Sequence, residues 1–115
     1  MSLKNKMTKF ELEFLRAIPS GMEHPKPRKE LEIQFGLNKR QVEEMIENLK
    51  RYGCPIVAQK KQPSGYYIPT NERERYEGLK SYKNQIRTSL KIIDIVESVD
   101  LNDFNVFMED LRYDR

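Results

Sequence analysis

The sequence predicts a mainly α-helical fold with a small β-hairpin (α+β), followed by a long C-terminal helix and a short terminal helix. Three observations support this class. Apolar residues recur every three or four positions over most of the 115-residue chain. Two short runs rich in β-branched and aromatic residues flank a polar turn between residues 54 and 69. Glycine or proline residues separate the periodic segments.

The first helix is predicted to begin at a capping box. In Thr8-Lys9-Phe10-Glu11, the Thr and Glu side chains can satisfy the first N–H groups of a helix. The apolar residues that then share one helical face are Phe10, Phe14, Leu15 and Ile18. Pro19-Ser20-Gly21 ends the helix, and residues 22–27 are expected to form an extended, proline-containing loop.

Two further helices are predicted on either side of a tight turn. The second runs from Arg28 to Phe35, and Gly36 is suited to a left-handed stop. Asn38 caps the third helix, with Gln41 as its reciprocal capping partner. The apolar stripe of the third helix consists of Val42, Met45, Ile46 and Leu49. This spacing lets the two helices cross and leaves the first turn of the third helix exposed.

The hairpin follows the third helix. Residues 54–59 have strand character, residues 60–65 form a polar turn, and Tyr66-Tyr67-Ile68 is the return strand. Alternation along this strand places Tyr66 and Ile68 toward the core and Tyr67 outward.

A long helix is predicted from about residue 71 to residue 99, with Thr70 as its cap. At 1.5 Å per residue it would reach roughly 40 Å. We expect its start to lie on the preceding domain through Tyr76 and Leu79. Asp100 is predicted to cap a final amphipathic helix, whose apolar residues are Leu101, Phe104, Val106, Phe107 and Leu111. The expected domains are therefore residues 1–70 and residues 71–115.

The order helix, helix, turn, helix, hairpin describes a winged helix-turn-helix. Residues 28–46 resemble the helix-turn-helix of bacterial winged-helix DNA-binding proteins. The stretch from Tyr52-Gly53-Cys54-Pro55-Ile56 to Gly65-Tyr66-Tyr67-Ile68 is similar to the wing of the biotin-ligase-repressor type. Residues 8–100 also resemble small winged-helix proteins of phages and mobile elements of Gram-positive bacteria, which carry a Gly-Tyr-x-x-Pro segment before a long charged helix. The resemblance implies a role in transcription regulation or DNA replication.

Two features depart from this pattern. Glu32 stands where the motif often has a small residue, so a looser crossing of the two helices is expected. Glu43, Glu44 and Glu47 make the third helix acidic, and carboxylates repel phosphates. A winged-helix protein–protein interaction module without DNA binding therefore stays open as the alternative function.

Charge is distributed unevenly around a net value of +3. Residues 1–70 contain thirteen Lys and Arg against eight Asp and Glu, whereas residues 71–115 contain eight against ten. The basic first part favours a polyanion such as double-stranded DNA, and the acidic tail after residue 92 favours a protein partner.

The candidate DNA contacts are polar residues on the exposed elements, namely Lys26, Arg28, Lys29, Lys39, Arg40, Gln41, Glu44, Lys60, Lys61 and Tyr67. Lys39 and Arg40 begin a helix, where the dipole disfavours cations, so a functional reason for them is expected. Arg40 can bridge guanine O6 and N7. Gln41 either reads adenine or only completes the capping box, and Glu44 either accepts from cytosine N4 or is a plain exposed acid. The hairpin lysines are suited to phosphates.

The long helix carries an apolar stripe that must be buried on something. The stripe consists of Leu79, Ile86, Leu90, Ile93 and Val96. We expect a homodimer formed through this helix. The alternative is that the terminal helix folds back onto it through Phe104 and Phe107.

No catalytic or metal-binding constellation is recognisable. His24 has no second His or Cys pair nearby, Cys54 has no adjacent His, and the five glycines are too far apart for a phosphate-binding loop. We therefore expect no enzyme, no metal and no cofactor. The chain has no run of about 18 apolar residues, so we expect no transmembrane helix. We also expect no secretory signal and a cytoplasmic location, since the first residues lack an apolar segment and a single cysteine is typical of a reducing compartment.

Overall fold

The structure, a computed structural model, describes residues 3–113. In chain order, the elements are α1 (Leu3–Lys6), α2 (Lys9–Arg16), α3 (Arg28–Phe35), α4 (Lys39–Arg51), β1 (Val57–Gln59), β2 (Gly65–Tyr67), α5 (Glu72–Ser98) and α6 (Leu101–Tyr113). The predicted mainly helical fold with a small hairpin and a long helix is confirmed. The short helix α1 was not predicted.

The chain forms two compact units, Met1–Ser81 and Tyr82–Arg115. The first unit thus extends past the expected boundary at residue 70 and includes residues 72–81 of α5. It does so because Glu74 and Gly78, on the first turns of α5, are buried.

Both predicted capping boxes are present. The Glu11 carboxylate accepts from the Thr8 N–H at 2.8 Å, and the Thr8 hydroxyl accepts from the Glu11 N–H at 3.1 Å. Asn38 and Gln41 exchange the equivalent bonds at 2.8 and 2.9 Å. These local bonds set the starts of α2 and α4 at the predicted residues.

One apolar core joins α2, α3, α4 and the chain leading into β1. Its buried residues are Met7, Phe14, Ile18, Leu31, Val42, Ile46, Leu49, Cys54 and Ile56. Phe10, predicted on the inner face of α2, is 44% exposed, and its ring meets the edge of Phe35 at a centroid distance of 5.8 Å. Phe10 therefore covers the rim of the core and does not enter it.

The strands β1 and β2 pair antiparallel, with Val57 opposite Tyr67. The strand β1 is shorter than predicted, whereas β2 has the predicted length and begins one residue earlier. The loop before α3 pairs with the other edge of β2. There the Lys26 N–H donates to the Tyr66 carbonyl at 2.8 Å, and the Tyr66 N–H donates back at 2.9 Å. Gly65, at φ 144°, permits this approach, because a Cβ atom there would collide with the main chain of Lys26.

The prediction that Tyr67 faces outward is wrong. Tyr66 and Ile68 do pack against the core, but Tyr67 is only 1% exposed, because α5 covers the opposite face of the hairpin. The Tyr67 hydroxyl donates to the Glu74 carbonyl oxygen, and Gly78 lies against the Val57 side chain. The strand alternates as predicted, but both of its faces are buried.

The start of α5 also differs from the prediction. The Asn71 side-chain oxygen accepts from the Glu74 N–H at 2.9 Å, so the cap is Asn71 and not Thr70. The Thr70 N–H and hydroxyl instead each donate to the Glu74 carboxylate at 2.8 Å. Tyr76, expected to pack on the preceding domain, is 62% exposed, and Leu79 is half-buried.

The second unit contains residues 82–98 of α5 and all of α6. Asp100 caps α6 as predicted, since its carboxylate accepts from the Asp103 N–H at 3.0 Å. Between residues 82 and 113, every described side chain is exposed except that of Met108, which is half-buried. The described part of the second unit, residues 82–113, therefore has no buried core of its own.

Candidate nucleic-acid interface

The helix pair α3 and α4 is joined by a tight turn. Gly36 adopts the left-handed conformation at φ 64°, and the Leu37 N–H donates to the Glu32 carbonyl oxygen at 3.0 Å. Leu31 and Val42 are fully buried where the helices meet. The Glu32 carboxylate is paired with Arg28 of its own helix at 3.0 Å. The turn and the buried residues give α4 a defined orientation over the core.

The first turn of α4 presents Lys39, Arg40 and Gln41 to solvent. The Arg40 side chain is 88% exposed, and its Nε lies 3.1 Å from the Glu44 carboxylate one turn further along α4. An exposed ion pair of this kind is worth about 0–1 kcal/mol. Arg40 is therefore held only weakly, and a phosphate or a guanine edge can compete for it.

Ion pairs within α4 involve two of its exposed carboxylates. Besides Arg40 and Glu44, the helix carries a second ion pair, in which Arg51 lies 3.7 Å from Glu47. This pair was not foreseen, although the four-residue spacing of Glu47 and Arg51 is a signal for it. The carboxylates predicted to repel phosphates are thus partly neutralised within the helix.

Tyr66 marks the point where α3, α4 and the hairpin come together. Burial raises the pKa of the Tyr66 hydroxyl above its usual value, the Glu43 carboxylate of α4 raises it further, and Arg28 of α3 lowers it. Lys26 is bonded to the main chain of the same tyrosine. The basic residues at the start of α3 therefore lie beside the hairpin and α4 and not on a separate surface.

The turn between β1 and β2 exposes Lys60 and Lys61. The Gln59 side-chain amide donates to the carbonyl oxygens of Lys61 and Pro63, at 3.4 and 2.6 Å. Gln59 was not singled out from the sequence, although an amide at the edge of a polar turn is a known means of ordering one. Its bonds give the lysine-bearing turn a defined main-chain path.

The remaining candidate residues fall into two groups. Tyr67 is buried beneath α5, which removes it from any DNA-contacting surface. Of the candidate dimerisation residues, Leu79 is half-buried in the first unit, whereas those in the second unit are between 46% and 65% exposed, namely Ile86, Leu90, Ile93 and Val96.

Residues 3–113 contain no recognisable metal site, reactive cysteine or membrane-spanning helix. No group of three or more His, Cys, Asp or Glu side chains in that range could hold a metal ion. Cys54 is buried, and burial raises the pKa of its thiol. None of the helices described is long and apolar enough to cross a membrane.

No protein-family model matches this chain, and neither a curated protein nor a solved structure matches it. The geometry of α3, α4 and the hairpin therefore carries the functional interpretation.

Proposed function

We propose that this protein is a winged helix-turn-helix protein that binds double-stranded DNA sequence-specifically, as a small transcriptional regulator or a replication-associated protein. The observation that carries the proposal is the exposed first turn of α4. Its cations project into solvent while the opposite face of the helix is locked into the core through Val42, Ile46 and Leu49. An α-helix presented in this way can enter a major groove about 12 Å wide.

Arg40 is the base-reading residue in this proposal. Its guanidinium can leave the exposed pair with Glu44 and donate two parallel hydrogen bonds to a guanine. Gln41 is less suited to reading a base, because its side-chain oxygen already accepts from the Asn38 N–H. Lys39, beside them, is placed for a phosphate.

The backbone contacts come from cations on both sides of α4. Lys60 and Lys61 project from the hairpin turn, and Lys26 and Lys29 lie at the start of α3. Contacts of this type position a protein on the duplex without reading its sequence. Arg28 contributes less, since it is half-buried and paired with Glu32.

A homodimer is the second part of the proposal. The described part of the second unit exposes nearly all of its large apolar side chains, including Leu90, Ile93, Phe104 and Phe107. Amphipathic helices draw most of their stability from packing of the apolar face. A second copy of the chain supplies that packing and doubles the number of DNA contacts.

The proposal is tested by selecting duplexes from a random library and titrating the enriched sequence against salt. We expect affinity to fall steeply with salt, because phosphate contacts release counterions. Arg40→Ala should lose about 1–3 kcal/mol of discrimination for the selected sequence. The matched control is Arg16→Ala, since Arg16 is also an exposed cation in a helical ion pair, with Glu13 at 3.6 Å. Failure to enrich any sequence, or equal losses in both variants, would overturn the proposal.

A second candidate function is a protein–protein interaction module. The exposed carboxylates of Glu43, Glu44 and Glu47 on α4 favour it, because they suit a basic protein better than a phosphate backbone. This function predicts no DNA binding at moderate salt and co-purification with a basic partner.

A further inference from the structure

The distal half of α5, defined here as residues 82–98, carries a wide apolar arc. Ile86, Ile93 and Val96 follow the seven- and three-residue spacing of a helix seam, and Leu90 and Ile92 flank it. Their side chains are between 46% and 65% exposed. A second helix packed against this arc would remove these apolar side chains from water.

Charges of opposite sign occupy the two ends of this distal half. Lys83, Arg87 and Lys91 lie toward its start, and Asp94 and Glu97 lie toward its end. The three cations are spaced four residues apart, and like charges at that spacing destabilise an isolated helix. No ion pair within the described chain involves any of these five residues. The half-helix thus has an uncompensated basic end and an uncompensated acidic end.

We infer that two copies of the chain pair antiparallel through the distal halves of α5, with the twofold axis passing near Leu90. The inference deepens the proposed function, because it rests on the homodimer and assigns its geometry. A second copy of the chain fits the apolar arc. When two distal halves run in opposite directions, the basic start of each lies beside the acidic end of the other.

The apolar spacing and the charges select the same register. If Leu90 faces its own counterpart, Lys83 lies opposite the partner's Glu97 and Arg87 lies near the partner's Asp94. In the same register, Ile86 lies beside the partner's Ile93. The twofold axis repeats each pair, so both basic ends meet an acidic end while the apolar arcs face each other.

Two distal halves paired in parallel would also bury the apolar arc, but they would bring like charges together. Such a pair would bring Lys83, Arg87 and Lys91 of one copy alongside the same residues of the other, and the acidic ends would meet likewise. Repulsion between such exposed charges opposes that arrangement, most strongly at low ionic strength.

Cysteine cross-linking distinguishes the two arrangements. In a Cys54→Ala background, antiparallel pairing separates two copies of Lys83→Cys by about 21 Å along the helix axis, which is too far for a disulfide. Lys83→Cys and Glu97→Cys should each remain uncross-linked alone, whereas a mixture of the two should form a mixed disulfide on oxidation. Lys91→Cys mixed with Glu97→Cys is the matched control and should not cross-link. Self-cross-linking of either single variant would establish the parallel pair and overturn the inference.

A charge swap provides the second measurement. Lys83→Glu should weaken dimerisation by about tenfold in sedimentation equilibrium, because two attractive pairs become repulsive. The double change Lys83→Glu with Glu97→Lys should restore the wild-type value, and circular dichroism checks the helix content. No restoration would overturn the antiparallel register. A monomer at every concentration would overturn both the register and the homodimer, whereas the DNA-binding proposal is decided separately by Arg40→Ala.

Discussion

The Tyr67 hydroxyl donates a hydrogen bond of 2.9 Å to the main-chain carbonyl oxygen of Glu74. This bond connects the return strand of the hairpin to the first turn of α5. Burial raises the pKa of the Tyr67 hydroxyl, and the carboxylates of Glu74 and Glu77 raise it further. The hydroxyl therefore stays protonated and able to donate throughout the neutral pH range.

Tyr67→Phe should lower the free energy of unfolding by about 1 kcal/mol, because it deletes one buried neutral hydrogen bond without removing the ring. Urea denaturation followed by circular dichroism measures the change. Tyr76→Phe is the control, since Tyr76 is an exposed tyrosine on α5, and it should leave the urea midpoint unchanged. Equal effects in the two variants would contradict a stabilising hydrogen bond between Tyr67 of β2 and Glu74 of α5.

Gly78→Ala should destabilise the protein, although the same change on an exposed helix surface stabilises by about 1 kcal/mol. A Cβ atom at this position would collide with the Val57 side chain and lie 2.8 Å from the Tyr67 hydroxyl oxygen. Overpacking of this kind costs about 1–3 kcal/mol. Ser81→Ala, at an exposed position one turn along, should be close to neutral.

The collision with Val57 can be tested by relieving it. Combining Gly78→Ala with Val57→Ala should cost less than the sum of the two single changes, because the smaller residue makes room for the new methyl group. Additive costs would mean that α5 does not rest on the hairpin at this point.

Acid should destabilise the protein partly through Glu74. Hydrogen bonds from the Thr70 N–H, the Thr70 hydroxyl and the Met22 N–H hold the pKa of the Glu74 carboxyl below its usual value. The carboxylate is therefore favoured in the folded chain. Its stabilising effect is complete above the unfolded pKa of about 4.3 and is lost as the pH falls through the lower folded pKa.

Glu74→Gln tests this dependence on pH. The variant should be less stable than the wild type at pH 7, and its urea midpoint should fall less between pH 7 and pH 3. Glu77→Gln is the control, because Glu77 is exposed on the same helix, and its midpoint should follow that of the wild type. Parallel pH profiles for the wild type and Glu74→Gln would show that the buried carboxylate has no such effect.

Glu44→Gln should strengthen DNA binding, by roughly three- to tenfold at moderate salt. The change releases Arg40 from its 3.1 Å ion pair and removes a negative charge that would face the duplex. Fluorescence anisotropy on the selected duplex measures the effect. Glu13→Gln, which breaks the Arg16 pair on α2, should leave the affinity unchanged; weaker binding by Glu44→Gln would instead indicate that Glu44 itself contacts a base.

Short-range signals account for the parts of the fold that could be predicted. The start of α4 follows from Asn38 and Gln41, and the end of α3 follows from Gly36, because caps and left-handed stops depend on residues within one turn of each other. The apolar spacing likewise identified Val42, Ile46 and Leu49 as buried. The candidate cations of α4 and of the hairpin turn are exposed, as predicted.

Long-range packing accounts for the errors. Strand alternation separates Tyr66 from Tyr67 but contains no information about what covers the second face. The apolar pattern of α5 pointed to Tyr76, whereas the helix is seated through Glu74 and Gly78. Apolar periodicity cannot identify these two contact positions, because Glu74 is polar and Gly78 has no side chain. At the start of α5, two adjacent residues can both act as caps, and the choice between them depends on Glu74.

The carboxylate of Glu74 accepts hydrogen bonds from two amides whose hydrogen exchange can be measured. The Met22 N–H, at 3.2 Å, and the Thr70 N–H, at 2.8 Å, donate to the same side chain, although they lie far apart in the sequence. Their amide protons should therefore lose protection from deuterium together whenever the start of α5 lifts off. Matching exchange rates at these two amides would measure how often that happens, without any substitution in the chain.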